Sequence, residues 1–313
     1  MDNFIIRNKS GLFCQPGGFS IDPNRKSEKA VISHAHADHA IPSNTEVWCT
    51  YETKAIMEAR YGDKLRSKFH IIPYNQTFMI NDVKIMFVPA GHILGSAQVV
   101  MDYNSTRYCY TGDFKVKADE SCQGFELVEC DVLITETTFA DPAYSHPEDD
   151  TEISKLLEYN NHNIVIGAYS VGKAQRINKL INKYLPQRSV MVHPETAIYH
   201  RVYEDSGMKP GIWTHYNYQK FRSAHSHVLI VPPRVMSTYN STPGIVTTFA
   251  TGWLNPPIKS HFKFHISDHA DWNDIIWLVE KSGASKVLTV HGDGRVLKQH
   301  LKISRPDINI SSL

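Results

Sequence analysis

At 313 residues, 42% of them hydrophobic and 21% charged, the chain has room for one large or two modest folded domains with an ample core. Its 33 basic residues against 32 acidic ones leave a formal charge of +1, so bulk charge announces no nucleic acid, and such a partner would need a local basic surface. The five cysteines form no C-x-x-C pair, no run is long and apolar enough to span a bilayer, and MDNFIIRNKS is too short and polar for a secretory core; a reduced cytoplasmic protein without membrane contact is expected.

In chain order, the first 140 residues alternate short β-rich runs with turns. KAVIS leads into SHAHADHA, and EVWCT leads into a helical stretch, ETKAIMEARYG. FMINDVKIMFVPA reads as a hairpin turning at Asn81-Asp82, AQVVMDY and RYCYTGD join through Asn104-Ser105, and DVLITET closes the series. The texture changes near residue 145, where NIVIGAYS, GKAQRINKLINKYL, SVMVHP, TAIYHRVYED and HVLIVPP read as strand, helix, strand, helix, strand, a small parallel α/β unit. After about residue 245 the β-rich texture resumes with GIVTTFATGW and FKFHISDHAD, then a helix NDIIWLVEKSG and the strand KVLTV. One mixed domain, 1–145 and 246–313, interrupted by an α/β insert at 146–245, fits this order.

The outer strands tend to end in a residue that binds metal or moves a proton. KAVIS ends at His34, His36, Asp38 and His39, IMFVPAG at His92, RYCYTG at Asp113, LIT at Glu136, FKFHISD at His269 and KVLTV at His291. Side chains gathered along one sheet edge can converge on one cleft. Alternate spacing sets His34 and His36 apart from Asp38 and His39 as two half-sites. Asp113 is suited to bridge them, with His92 completing the first and His291 the second. Imidazole and carboxylate ligands without cysteine suit catalytic zinc, and manganese or iron is compatible with the same ligand types. A lone histidine is more often a satisfied core or surface residue; the joint occurrence of HAHADH, GH, TGD and VHG weighs for a metal site.

These motifs resemble those of the metallo-β-lactamase superfamily: HAHADH matches its H-x-H-x-D-H motif, and Asp22 in GFSIDP matches the aspartate that supports that loop. GHILGSA, TGDFK, ETTF, SDHAD and VHG match, in order, the motifs of the β-CASP nucleases, and ATGW with SDHADW and TTFADPAYSHP looks like the bacterial DNA-ligase-associated exonucleases. The resemblance implies an αββα sandwich with an inserted β-CASP-like cap, two divalent ions, zinc first and manganese second, and hydrolysis of DNA in a repair setting with a ligase and a helicase as partners. It implies that Glu136 orients His269, that His269 is the general acid, that Asp38 helps hold the nucleophile, and that a hydroxide shared by the ions attacks phosphorus. The roles of His269 and His291 can also be exchanged. An RNA-processing β-CASP ribonuclease, an inactive nucleic-acid-binding subunit and a small-molecule hydrolase are the alternatives.

GAYSVGK, 167–173, fits G-x-x-x-x-G-K after a strand, but Ala174 stands where a P-loop needs a hydroxyl, so nucleotide hydrolysis is not expected there. The milder expectation is a substrate phosphate held at the start of the following helix by Ser170, Gly172, Lys173 and Arg176. Lys179 and Lys183 would extend the strip, against the plain reading of a solvated helix face.

Overall fold

The computed structural model describes residues 4–223, 225–256, 258–292 and 294–313, so the first three residues of the 1–145 segment lie outside it. Two compact units result: Met1–Ala118 with Gln123–Ala143 and His269–Leu313, and Asp119–Cys122 with Tyr144–Asp268.

The first unit begins with a six-stranded sheet in chain order: β1 (Ile5–Asn8), β2 (Gly11–Cys14), β3 (Phe19–Ile21), β4 (Lys29–Val31), β5 (Glu46–Cys49) and β6 (Lys68–Ile71). It is antiparallel through β3 and parallel from β3 to β6. Parallel neighbours need a crossover, and α1 (Tyr51–Tyr61) supplies it between β5 and β6. Thr50 caps this helix, its hydroxyl accepting from Thr53 N at 3.2 Å.

Four strands then form an antiparallel meander, β7 (Thr77–Ile80), β8 (Val83–Pro89), β9 (Ala97–Tyr103) and β10 (Thr106–Tyr110), and β11 (Val132–Glu136) joins parallel to β10. The β7–β8 hairpin turns at Asn81-Asp82, as the sequence suggests. Asn104 and Ser105, at φ +48° and +60°, make the tight β9–β10 link that right-twisted strands favour. Along β9, Ala97, Val99 and Met101 face one core while Val100 faces another.

The second unit contains α2 (Asp149–Ser154), β12 (Asn163–Gly167), α3 (Lys173–Tyr184), β13 (Ser189–Val192), α4 (Pro194–Asp205), β14 (Thr214–His215), α5 (Tyr218–Ser223), β15 (His227–Val231), α6 (Pro233–Met236), β16 (Ile245–Ala250) and β17 (Phe262–Phe264). Its sheet is parallel throughout, in the order β14-β13-β15-β12-β16-β17. Both faces are covered, Ile164, Ile166, Val228 and Ile230 lying in one core and Val165, Leu229 and Val231 in the other. That explains why NIVIG and HVLIV are continuous apolar runs rather than alternating ones.

The sequence places the return to the outer domain at 246, whereas β16 and β17 extend the second unit's sheet and the chain rejoins the first unit at His269. IVTTFA and FKF carry apolar residues that suit either sheet, so composition alone does not assign them. From there α7 (Trp272–Lys281), β18 (Lys286–Val290), α8 (Arg295–Ser304) and β19 (Asn309–Ser312) complete a seven-stranded sheet ordered β19-β18-β11-β10-β9-β8-β7. One face of that sheet packs on the first through Phe19, Ile21, Val31, Phe87, Val99 and Ile134. Ile275, Leu278, Leu297 and Leu301 of α7 and α8 cover the other. The result is an αββα sandwich carrying a parallel α/β insert. Among the described residues no helix is long and apolar enough to cross a membrane.

Candidate metal centre

Three connections in the first unit carry most of the donors: 32–45 after β4, 90–96 between β8 and β9, and 111–114 after β10. The 33–40 loop is held at its start by Asp22. The Asp22 Oδ1 accepts from Ser33 N at 2.7 Å, and its Oδ2 accepts from Ser33 Oγ at 2.5 Å, His39 Nδ1 at 2.9 Å and Tyr110 Oη at 3.0 Å. Because the Ser33 hydroxyl proton goes to Asp22, its oxygen is left to accept from His34 Nδ1 at 3.0 Å. Both histidines are thereby held with Nδ1 engaged and Nε2 turned toward Asp113, the orientation a metal ligand needs; on the neutral His34 that Nε2 bears a lone pair.

Three imidazole nitrogens converge. His36 Nδ1 lies 3.2 Å from His34 Nε2 and 3.0 Å from His92 Nε2, and Asp113 Oδ2 lies 3.5 Å from the first of these Nε2 atoms and 3.8 Å from the second. A tetrahedral zinc ion with ligands at about 2.0–2.1 Å has donor–donor edges of roughly 3.3–3.4 Å. The four atoms therefore stand at about the spacing such an ion sets, and the donor chemistry fits a divalent cation. The same Asp113 oxygen is 3.5 Å from His39 Nε2, which is 3.7 Å from Asp38 Oδ2, and His291 joins His39 and Asp113 as a third donor. Two donor sets thus share one carboxylate oxygen. His34, His92 and Asp113 are buried and His36 is half-buried, whereas Asp38 and His291 are exposed. His291 sits at φ +55°, a costly backbone for a non-glycine residue and one that recurs at functional sites.

Electrostatics follow from burial and crowding. Burial, reinforced by His39, holds the His34 pKa well below its ordinary value, keeping it neutral. Burial also opposes charge on His39, but Asp113 and Asp22 outweigh it and raise its pKa to about 10. Burial by itself would raise the Asp113 pKa; the imidazoles of His39, His269, His34 and His92 overcome it and keep the carboxyl well below the usual range. Asp113 is accordingly an anion amid histidines.

His269 stands beside this centre. Its Nδ1 lies 2.9 and 3.1 Å from the two Glu136 oxygens, its Nε2 is 3.9 Å from Asp113 Oδ2, and its ring is 4.7 Å from that of His92. Glu136 is aimed by two further donors, Phe114 N at 2.9 Å and Thr138 Oγ1 at 2.6 Å. All the ligand and proton-transfer candidates named from the sequence therefore lie in one neighbourhood of the first unit. Ser33, Tyr110 and Thr138 were not among them. Their types are unremarkable, and only adjacency to His34, TGD and Glu136 could have marked them.

The phosphate-grip candidates belong to the second unit. Ser170 Oγ pairs with Thr196 Oγ1 at 3.0 Å, and Gly172 N donates to Gln175 Oε1 at 2.8 Å. Lys173 and Arg176 are buried: Lys173 Nζ is 3.4 Å from Asp268, and Arg176 donates to both Asp149 oxygens at 2.7 and 2.8 Å while its Nε lies 3.0 Å from Asp119. Lys179 and Lys183 reach Glu120. The strip is thus matched by carboxylates of its own unit.

Comparisons with known proteins agree with this picture. A family profile described as a β-lactamase superfamily domain matches residues 6–193, and one described as a Zn-dependent metallo-hydrolase RNA specificity domain matches 255–309. A probable DNA ligase of Opitutus terrae is 31% identical over 312 residues, 95% of this chain and 30% of that one. An RNase J-like protein of Methanocaldococcus jannaschii is 28% identical over 55% of this chain and 48% of its own length. A cleavage and polyadenylation specificity factor subunit 3-I of Arabidopsis thaliana is 26% identical over 56% of this chain and 30% of its own. The chain thus spans less than half the length of each. A crystal structure of a protein of unknown function from Enterococcus faecalis V583 superposes with a TM-score of 0.63 over 90% of this chain and 78% of that one, at 16% identity, a likeness of fold.

Proposed function

Because the chain belongs to the metallo-β-lactamase superfamily, in its β-CASP nuclease branch, we propose that it is a two-metal phosphodiesterase acting on nucleic acid, and more narrowly a DNA exonuclease of repair. The observation that carries the reading is the pair of donor sets meeting on Asp113, with His269 and Glu136 alongside.

His34, His36, His92 and Asp113 would hold one ion, and Asp38, His39, Asp113 and His291 the other, zinc being preferred by the donor set and manganese second. Bound divalent ions supply a water-derived nucleophile near neutral pH and offset charge in the transition state. The protein's own groups do the rest. Asp38 can orient the attacking water by accepting its hydrogen bond. Glu136 engages His269 Nδ1, so that Nε2 faces the centre and can pass a proton to the leaving oxygen. Exchange of the His269 and His291 roles is disfavoured by this contact, since Glu136 pairs with the former.

DNA is supported by the relative that matches along nearly the whole chain, a probable DNA ligase. A ligase partner, a helicase partner and a cytoplasmic location rest on the sequence resemblance. RNA processing is the second reading, favoured by the RNA specificity description of 255–309 and by the RNase J-like relative. For substrate contact we keep Ser170 and Gly172 through their loop, with Lys173 and Arg176 as its braces. The decisive experiment gives metal-loaded protein and a His34→Ala variant end-labelled single-stranded DNA and RNA of matched sequence. Stepwise loss of DNA, absent in the variant, is expected. Loss of RNA alone moves the function to processing, and no cleavage despite bound metal leaves a binding subunit or small-molecule hydrolase.

A further inference from the structure

We propose that α1 is a brace between the two ligand loops, with Thr50, Thr53, Arg60 and Tyr61 as positioning residues that tune the two metal sites separately. The inference rests on the metal-centre reading above.

At the helix start, Gly95 O accepts from Thr50 Oγ1 at 2.7 Å and from Thr53 Oγ1 at 3.1 Å, both threonines being buried. Gly95 itself, at φ +82°, is pressed so close that an added Cβ would lie 2.7 Å from Glu52 Cβ and 2.8 Å from Thr53 N. This contact anchors the loop that carries His92, because the adjacent Ser96 Oγ accepts from His92 N at 3.1 Å and Ile93 N at 3.2 Å. At the helix end, Arg60 Nη1 donates to Ala35 O, between His34 and His36, and Tyr61 Oη donates to Ala40 O at 2.8 Å, next to His39. A helix is stiff, with a rise of about 1.5 Å per residue, so the ten steps from Tyr51 to Tyr61 form a strut roughly 15 Å long. Ala97 N to Ser33 O, at 2.8 Å, ties the loops directly near one point. The helix fixes them at two more.

The geometry assigns Thr50, Thr53 and Arg60 to the set with His34 and His36, and Tyr61 to the set around His39. Thr50 and Thr53 act through His92, which belongs only to the set with His34 and His36. Tyr61 acts beside His39, which belongs to the set with Asp38 and His291. A merely structural helix would weaken both alike on damage.

The test is a chelator competition that counts and ranks two equivalents of zinc, with apo-protein melting followed in parallel. Thr50→Val with Thr53→Val keeps the shape and removes both donors to Gly95 O together with the Thr50 cap, which the serine pair below retains. It should loosen one equivalent about 10- to 100-fold, the range for groups supporting a ligand from behind, and leave the other unchanged. Thr50→Ser with Thr53→Ser should restore it. Tyr61→Phe should loosen the other equivalent, and it keeps the idea testable if the valine variant does not fold. Equal loosening of both equivalents, no loosening, or no rescue by serine overturns the brace alone. Wild-type protein that takes up no ion overturns the metal-centre reading and the brace with it.

Discussion

The loop at 33–40 and the turn at 170–176 both follow a buried strand, and both concentrate groups that suggest a ligand. The first gathers His34, His36 and His39, whose partners fix the Nδ1 protons of His34 and His39 and leave the Nε2 of each facing Asp113. The second places Lys173 and Arg176 against Asp119, Asp149 and Asp268. A group becomes available for chemistry when its neighbours aim it and leave its lone pairs uncommitted. It becomes structural when they neutralise it.

Four measurements can break or sharpen that contrast. The largest effect belongs to Asp113→Ala, which removes the donor common to both sets: nuclease activity should fall by more than about 10⁴-fold, given several kcal/mol supplied by bound ions. Tight uptake of two zinc equivalents by this variant would refute the shared-oxygen reading. Next comes His269→Gln, which should lower kcat about 10²- to 10³-fold, within the range of general acids, while metal stoichiometry stays at wild type. The deficit should shrink on a phosphodiester with a nitrophenolate leaving group, which needs no proton; an equal deficit on both substrates would point to a role other than protonation.

In the second unit, Arg176→Met strips the partner from buried carboxylates and should cost about 3 kcal/mol of stability in urea melts, with zinc affinity unchanged. A variant of wild-type stability with a raised KM would instead make Arg176 a substrate contact. The smallest effect concerns His200, as deeply buried as His34 but flanked by Gln175 and Trp213. Burial lowers its pKa to about 4, with the Thr196 carbonyl partly opposing. The unfolded chain takes up a proton as pH falls through about 6.5 and the folded one does not until about 4, so His200 lowers stability progressively over that window. Between pH 6.5 and 5 the loss is about 1–2 kcal/mol. His200→Phe should flatten the slope of denaturation free energy over this range, and an unchanged slope would show that His200 is not the source.

Much of the first unit was legible because its strands announce themselves by alternation and their ends carry unusual residue types. His34, His92, Asp113 and His291 are separated by up to 257 positions, yet each lies just beyond the end of a strand of an ordered sheet. The neutralising partners of Arg176 were not legible, since Asp119, Asp149 and Asp268 come from three separate segments without a common motif. Nor was the sheet membership of β16 and β17, because an apolar strand does not encode its neighbour. Tyr110, Thr138 and the residues of α1 act through hydrogen bonds on other residues, and such roles leave no spacing to read.

The exposure of the donors is uneven, and it bears on how the centre fills and empties. His34, His92 and Asp113 are shut away from water, whereas both exposed donors, Asp38 and His291, belong to the set around His39. On the two-ion proposal, water and competing chelators would reach that set first, and its ion would be the one exchanged on the shorter timescale. Under metal scarcity the protein would be depleted in a fixed order, keeping a half-loaded form whose restoration needs a single ion and no rearrangement of the buried loops.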